Sequence, residues 1–184
     1  MNLNKTNSLV DLYFEKFEKI NGKKPFLKWL NPNNNQQYNW EEVTEKIFKL
    51  SYKIKNIIQS GDRVLLLSEN RPEWLITDLA IMNAGGVTVP IFTTYADRDY
   101  EYIIKDCSPS LVIVSNNSQF KKISKFIENK KIISFEKIDN LSITFEDIFK
   151  ENLKKEKNNT LNRKLPACII YTSGTSGNPK GVVL

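Results

Sequence analysis

Apolar residues recur at helical spacing over residues 8–21, where Leu9, Leu12, Tyr13, Phe17 and Ile20 form one stripe, Ser8 suits an N-cap and Gly22 a stop. A second stripe of Val43, Ile47, Leu50, Ile54 and Ile57 predicts a helix over residues 40–59, ended by Gly61. Between them, residues 25–30 and 37–40 flank the turn-forming run NPNNN, which predicts a short hairpin.

From residue 63 the pattern changes to short apolar runs alternating with helical stretches. RVLLLS, residues 63–68, is the near-continuous run expected of a strand covered on both faces. A helix follows from Pro72, a residue suited to the first turn, and Gly85 and Gly86 close it. The spacing then predicts strand 87–92, helix 97–106, strand 111–115, helix 119–128 and strand 131–135. This succession predicts an α/β fold, a helix-flanked and mostly parallel sheet with right-handed crossovers. Residues 150–164, KENLKKEKNNTLNRK, lack apolar periodicity and read as a surface connection, after which residues 167–171 form another apolar strand.

Composition narrows the function classes. A chain of 184 residues with 40% hydrophobic and 26% charged residues is ordinary for a globular protein. By size it buries roughly 70% of the surface its unfolded form exposes. The 27 basic against 21 acidic residues give +6, yet Arg occurs only at Arg63, Arg71, Arg98 and Arg163, and the lysines are scattered among Asn and Ile. Those charges read as solvated faces, so no nucleic-acid partner is expected. Cys107 and Cys168 form no CxxC pair, which leaves a zinc site or disulfide framework without support, and both read as small core residues. No segment approaches the roughly 18 apolar residues of a membrane span, and the first residues have no signal-peptide core, so a cytoplasmic location is expected.

The chemistry is concentrated in residues 171–184, YTSGTSGNPKGVVL. Gly174, Gly177 and Gly181 permit backbone approaches that side chains would block, and Thr172, Ser173, Thr175 and Ser176 supply four hydroxyls. Lys180 adds a positive charge that Pro179 helps to aim. Hydroxyls, backbone amides and one ammonium on a turn make a cradle for a polyphosphate, each bond to a charged oxygen being worth about 1.5–3 kcal/mol. It is not the Walker loop, because Asn178 and Pro179 separate Gly177 from Lys180. A plain solvated turn accounts for the glycines and serines, but not for the whole string.

YTSGTSGNPKGV resembles the signature loop of the adenylate-forming (AMP-binding) superfamily, with Ser176 where Thr is commoner. Residues 61–92, GDRVLLLSENRPEWLITDLAIMNAGGVTVPIF, resemble the long-chain fatty acyl-CoA synthetase branch, SENRPEW above all. Within that block Trp74, Leu75, Leu79 and Ile81 read as helix core, and Arg71 and Glu73 as surface charges. Tyr38–Trp40 with Glu41, and Tyr95, Tyr100 and Tyr102, fit the same pattern, so the resemblance spans roughly residues 6–184.

The resemblance implies that Ser173, Gly174, Thr175, Ser176 and Gly177 wrap the β- and γ-phosphates of ATP, that Thr172 lies near a magnesium ion, and that Lys180 supports the phosphates. It implies activation of a fatty acid to an acyl-adenylate, then thioester formation with coenzyme A, and leaves room for peripheral membrane association of the parent enzyme. The family's adenine pocket, acidic magnesium ligand and acyl tunnel lie downstream of this motif. The chain therefore reads as the N-terminal portion of an adenylation domain, truncated inside an element just after the phosphate loop, with no complete catalytic set and inactive alone. Two alternatives stay open: a stand-alone, non-catalytic nucleotide-binding module, and a parent enzyme that acts on another carboxylic acid.

Overall fold

A computed structural model of the chain describes residues 6–30, 35–127, 131–139, 143–172 and 177–184. The first helix, α1 (Leu9–Glu18), is capped by the Ser8 hydroxyl, which accepts from the Asp11 amide at 3.0 Å. Its buried face is Val10, Tyr13 and Phe14, while Leu9 is 56% exposed and the helix stops four residues before Gly22. The stripe is displaced because the helix packs through aromatic rings: Tyr13 meets Phe14, Phe26 and Trp40 at 5.3, 5.8 and 5.4 Å between centroids. The Tyr13 hydroxyl lies 2.8 Å from that of Thr44, and burial pushes its pKa up to about 12 against the lowering effect of that bond.

Strands β1 (Pro25–Trp29) and β2 (Gln36–Asn39) form the expected antiparallel hairpin, whose turn at residues 31–34 lies outside the described residues. Asn39 then starts α2 (Trp40–Lys55) through a capping box with Glu42, in which each side chain accepts from the other's backbone amide. Val43, Ile47, Leu50 and Ile54 are buried as the period predicts. The helix ends at Lys55, short of the expected residue 59, and Ile57 is only partly buried.

The parallel sheet consists of β3 (Arg63–Leu67), β4 (Val87–Ile91), β5 (Leu111–Val114), β6 (Lys131–Ser134) and the two-residue β7 (Ile143–Thr144), in the order β4-β3-β5-β6-β7. Side chains alternate across it. Val64 and Leu66 face a core shared with α1, α2, α3 (Pro72–Ala84) and α6 (Phe145–Lys150), while Leu65 and Leu67 face α4 (Asp97–Cys107) and α5 (Asn117–Ile123). This three-layer α/β sandwich is the predicted fold class. The chain runs outward from β3 to β4, then returns across β3 to β5, so the winding reverses between β3 and β5.

Two elements differ from the sequence reading. Helix α5 begins at Asn117, capped by Asn116, rather than at residue 119, and passes into a 3-10 turn at Ser124–Phe126. Helix α6, absent from the periodicity, is only six residues long and is held by a Thr144–Asp147 capping box.

The connection over residues 151–166 lies along α2 and α3, with Leu153 and Leu161 packed against the core. The buried Asn83 side chain pins it, donating to Glu156 O at 3.0 Å and accepting from the Asn158 amide at 2.9 Å, while also donating to Ser51 Oγ at 2.8 Å. Asn83→Ala is expected to cost about 2–3 kcal/mol, since three bonds of roughly 1 kcal/mol each disappear inside the protein. Hydrogen exchange at residues 156–158 reads the effect; unchanged protection there would refute it.

Candidate functional site: the roots of a glycine-rich hairpin

Strand β8 (Ile169–Thr172) pairs antiparallel with β9 (Lys180–Val183). The ribbon sits beside β4, through a parallel bridge between Thr88 and Cys168 and a bond from the Thr88 amide to Ala167 O at 3.1 Å. The apolar run at residues 167–171 thus enters a hairpin at the sheet edge. Cys168 is half-buried there and burial raises its thiol pKa, whereas Cys107 is buried in the core. Because β8 runs in the direction of β4, its end at Thr172 points to the carboxyl side of the sheet, where open α/β sheets bind ligands.

Thr172 and Lys180 are cross-strand partners and both are exposed, so a hydroxyl and an ammonium stand side by side at the mouth of the loop. Gly177 has φ +131°, in the region that L side chains avoid, and Pro179 is buried while the adjacent Lys180 is exposed. Ser173, Gly174, Thr175 and Ser176 lie outside the described residues.

Tyr171, one residue before the loop, is only 3% exposed. Its hydroxyl donates to Asp106 Oδ2 on α4 at 2.5 Å, and its carbonyl accepts from the Tyr95 hydroxyl at 3.2 Å. Burial first, and then the bond to Asp106, drive its pKa far above the usual phenol range. A Cβ on Gly181 would lie 3.2 Å from the Tyr171 ring carbon Cζ and 3.0 Å from Ile169 Cγ2, so the ring packs closely against the glycine opposite it.

A family model for AMP-binding enzymes matches residues 14–184. This chain belongs to that family. Among curated relatives, it is 32% identical over 146 residues to the long-chain-fatty-acid–CoA ligase ACSBG2 of Gallus gallus, a match covering 71% of this chain and 19% of the ligase. Among solved structures, an anthranilate CoA ligase in complex with anthranoyl-AMP superposes with a TM-score of 0.83 at 22% identity, covering 97% of this chain and 35% of that one. A luciferase-like enzyme from the mealworm Zophobas morio superposes at 0.87 with 20% identity, covering 100% and 44%. At those identities the structures establish the shared fold. The chain spans about a fifth of the chicken ligase.

Two further features belong to this AMP-binding chain. At the winding reversal, Glu69, just past β3, accepts from Ser115 Oγ at 2.6 Å, Gln119 Nε2 at 2.5 Å and Asn116 Nδ2 at 3.5 Å. Burial raises its carboxyl pKa, but those bonds outweigh it and the net shift is downward. At the opposite, amino end of the sheet a largely apolar cavity of about 480 Å3 opens among Leu9, Met82, Gly86, Val87, Leu165 and Leu184; none of the loop roots lines it.

The sequence reading placed Arg71 and Glu73 on the surface, and the structure overturns this. Their side chains are 12% and 15% exposed, joined at 2.9 Å, with Arg71 lying 5.1 Å from the Trp29 ring and 5.5 Å from that of Phe135. Trp74 and Leu75 are partly buried, while Leu79 and Ile81 are core. Asp106 escaped the sequence reading altogether, since its partner lies 65 residues away. Among the described residues no group of three or more His, Cys, Asp or Glu is arranged to hold a metal ion.

Proposed function

We propose that this chain is the N-terminal portion of the adenylation domain of a long-chain fatty acid–CoA ligase, and that its β8–β9 loop grips the pyrophosphate end of ATP. The observation that carries the reading is the pair Thr172 and Lys180, exposed side by side at the carboxyl end of the sheet and bracketing a loop of glycines and hydroxyls. The family membership and the long-chain ligase relatives support the same reading.

In the activation step a fatty-acid carboxylate attacks the α-phosphate and pyrophosphate leaves. The chain's part is positioning and charge neutralisation, which dominate phosphoryl-transfer catalysis. Lys180 meets the departing phosphates, Thr172 and the hydroxyls of Ser173, Thr175 and Ser176 donate to their oxygens, and Gly174 and Gly177 let the backbone amides close in. Magnesium suits this donor set only in company with the phosphates themselves, because it prefers a few protein oxygens plus phosphate and water. Thr172 is the residue whose hydroxyl would help to hold it. Coenzyme A then takes the acyl group with parts of the enzyme outside this chain, in a cytoplasmic setting.

Titration of magnesium and inorganic pyrophosphate into the chain tests the reading. Saturable binding is expected, weakened at least about tenfold by Lys180→Ala, in line with the loss of a charge-assisted bond. Equal affinity in Lys180→Ala would rule the grip out. Fatty-acid-dependent ATP–pyrophosphate exchange by the 184-residue chain alone is expected to be absent; measurable exchange would show that the chain suffices for the chemistry.

A further inference from the structure

We infer that Tyr171 is the positioning residue of the phosphate loop, fixing both of its roots to α4 and to the β4–α4 connection at once. The inference rests on the phosphate-binding reading above, but its geometry lies wholly in Tyr95, Asp106, Tyr171 and Gly181. Three contacts meet on this one residue. The phenol hydroxyl donates to Asp106, near the end of α4, at 2.5 Å. The main-chain carbonyl accepts from Tyr95 at 3.2 Å, immediately before α4. The ring packs against Gly181, so that strand β9 is held through the same side chain that holds β8.

A two-stranded ribbon is weak by itself and, away from β4, exposes its apolar residues: Val182 and Val183 are 45% and 59% exposed. Without the Tyr171 contacts the ribbon is bonded to the sheet, among the described residues, only at its far end, where the Thr88 amide meets Ala167 O and Thr88 bridges Cys168, four residues from Thr172. An anchor tightens binding by reducing the ordering that the ligand must otherwise impose. The bond to a carboxylate is of the charge-assisted kind, and Tyr171 as a residue is only 3% exposed, although Asp106 itself is an exposed residue at the end of α4. A methyl at position 181 would crowd the same ring and Ile169, so that one of them must shift by a few tenths of an ångström.

Pyrophosphate titration and residue-level hydrogen exchange on the whole chain test this together. Tyr171→Phe keeps the ring and removes only the hydroxyl; it is expected to weaken pyrophosphate binding five- to tenfold and to speed exchange at the Thr172 and Lys180 amides, with core strand β3 unchanged. Asp106→Ala should do the same, and the double variant should lose no more than either single one, as expected for two ends of one interaction. Tyr13→Phe, which deletes another buried phenol, one bonded to Thr44 far along the chain, should leave both readouts at wild-type values. Wild-type affinity and wild-type exchange in Tyr171→Phe would overturn the inference. Should the wild-type chain fail to bind pyrophosphate, the proposed function falls, and the exchange rates at Thr172 and Lys180 still decide whether Tyr171 anchors the hairpin.

Discussion

Arg71→Ala is expected to destabilise the chain by about 2–3 kcal/mol, less than the roughly 3–5 kcal/mol typical of breaking a fully buried ion pair, because this pair is only partly buried. The guanidinium is only 12% exposed and forks onto Glu73, Nε to Oε2 at 2.9 Å and Nη2 to Oε1 at 3.4 Å. Its Nη1 donates to Glu136 at 2.7 Å, but that carboxylate is 55% exposed and contributes little. The larger loss comes from Glu73, 15% exposed, which loses its forked partner, and from the contacts with the Trp29 and Phe135 rings. Because Trp29 belongs to the β1–β2 hairpin and Phe135 follows β6, one side chain joins the hairpin, the start of α3 and the sheet. Arg71→Lys should recover only part of the loss, since an ammonium cannot make the fork. Denaturant unfolding measures both; a loss below about 1 kcal/mol for Arg71→Ala would contradict the structure. For a domain of this size about 2–3 kcal/mol corresponds to a fall in melting midpoint on the order of 5–10 °C.

Leu66→Ala should cost about 3–4 kcal/mol, within the range for truncating a fully buried leucine. Leu66 has no solvent exposure, lies on β3 between β4 and β5, and faces the core shared with α2 and α3. Elements on both sides and above are fixed by other contacts, so the cavity left behind cannot readily collapse. Against a total stability on the order of 5–15 kcal/mol, that is a substantial share. Leu9→Ala is the control: that side chain is 56% exposed, and its loss should stay within about 0.5 kcal/mol. Equal unfolding curves for the two variants would mean that the assigned faces are wrong.

The contrast between Leu9 and Leu66 shows where the amino-acid pattern is informative. Strand β3 reads correctly because both its faces are covered, which leaves a short uninterrupted apolar run bounded by Gly61 and the polar Ser68–Asn70. Helix α2 reads correctly because one continuous stripe faces one core. The buried face of helix α1 is not legible in the pattern because two overlapping stripes compete, and the aromatic contacts of Tyr13 with Phe26 and Trp40 and of Phe14 with Phe48 decide between them. Helix α6 has only six residues, too few for a period to show.

At the candidate site, the loop chemistry and its kinship were legible because spacing and residue type alone carry them: glycines, hydroxyls and one lysine within residues 171–181. The alternation of strand and helix was likewise local information, and so was the α/β class. Tertiary structure alone decided that Arg71 is enclosed rather than solvated, that β8 and β9 form a ribbon at the β4 edge, and that Tyr171 is tied to Asp106. The physical reason is range. Periodicity and capping depend on neighbours within a few residues, whereas burial of a charge and the partner of a phenol 65 positions away depend on sheet order and register, which bring distant segments together only once the whole sheet has formed.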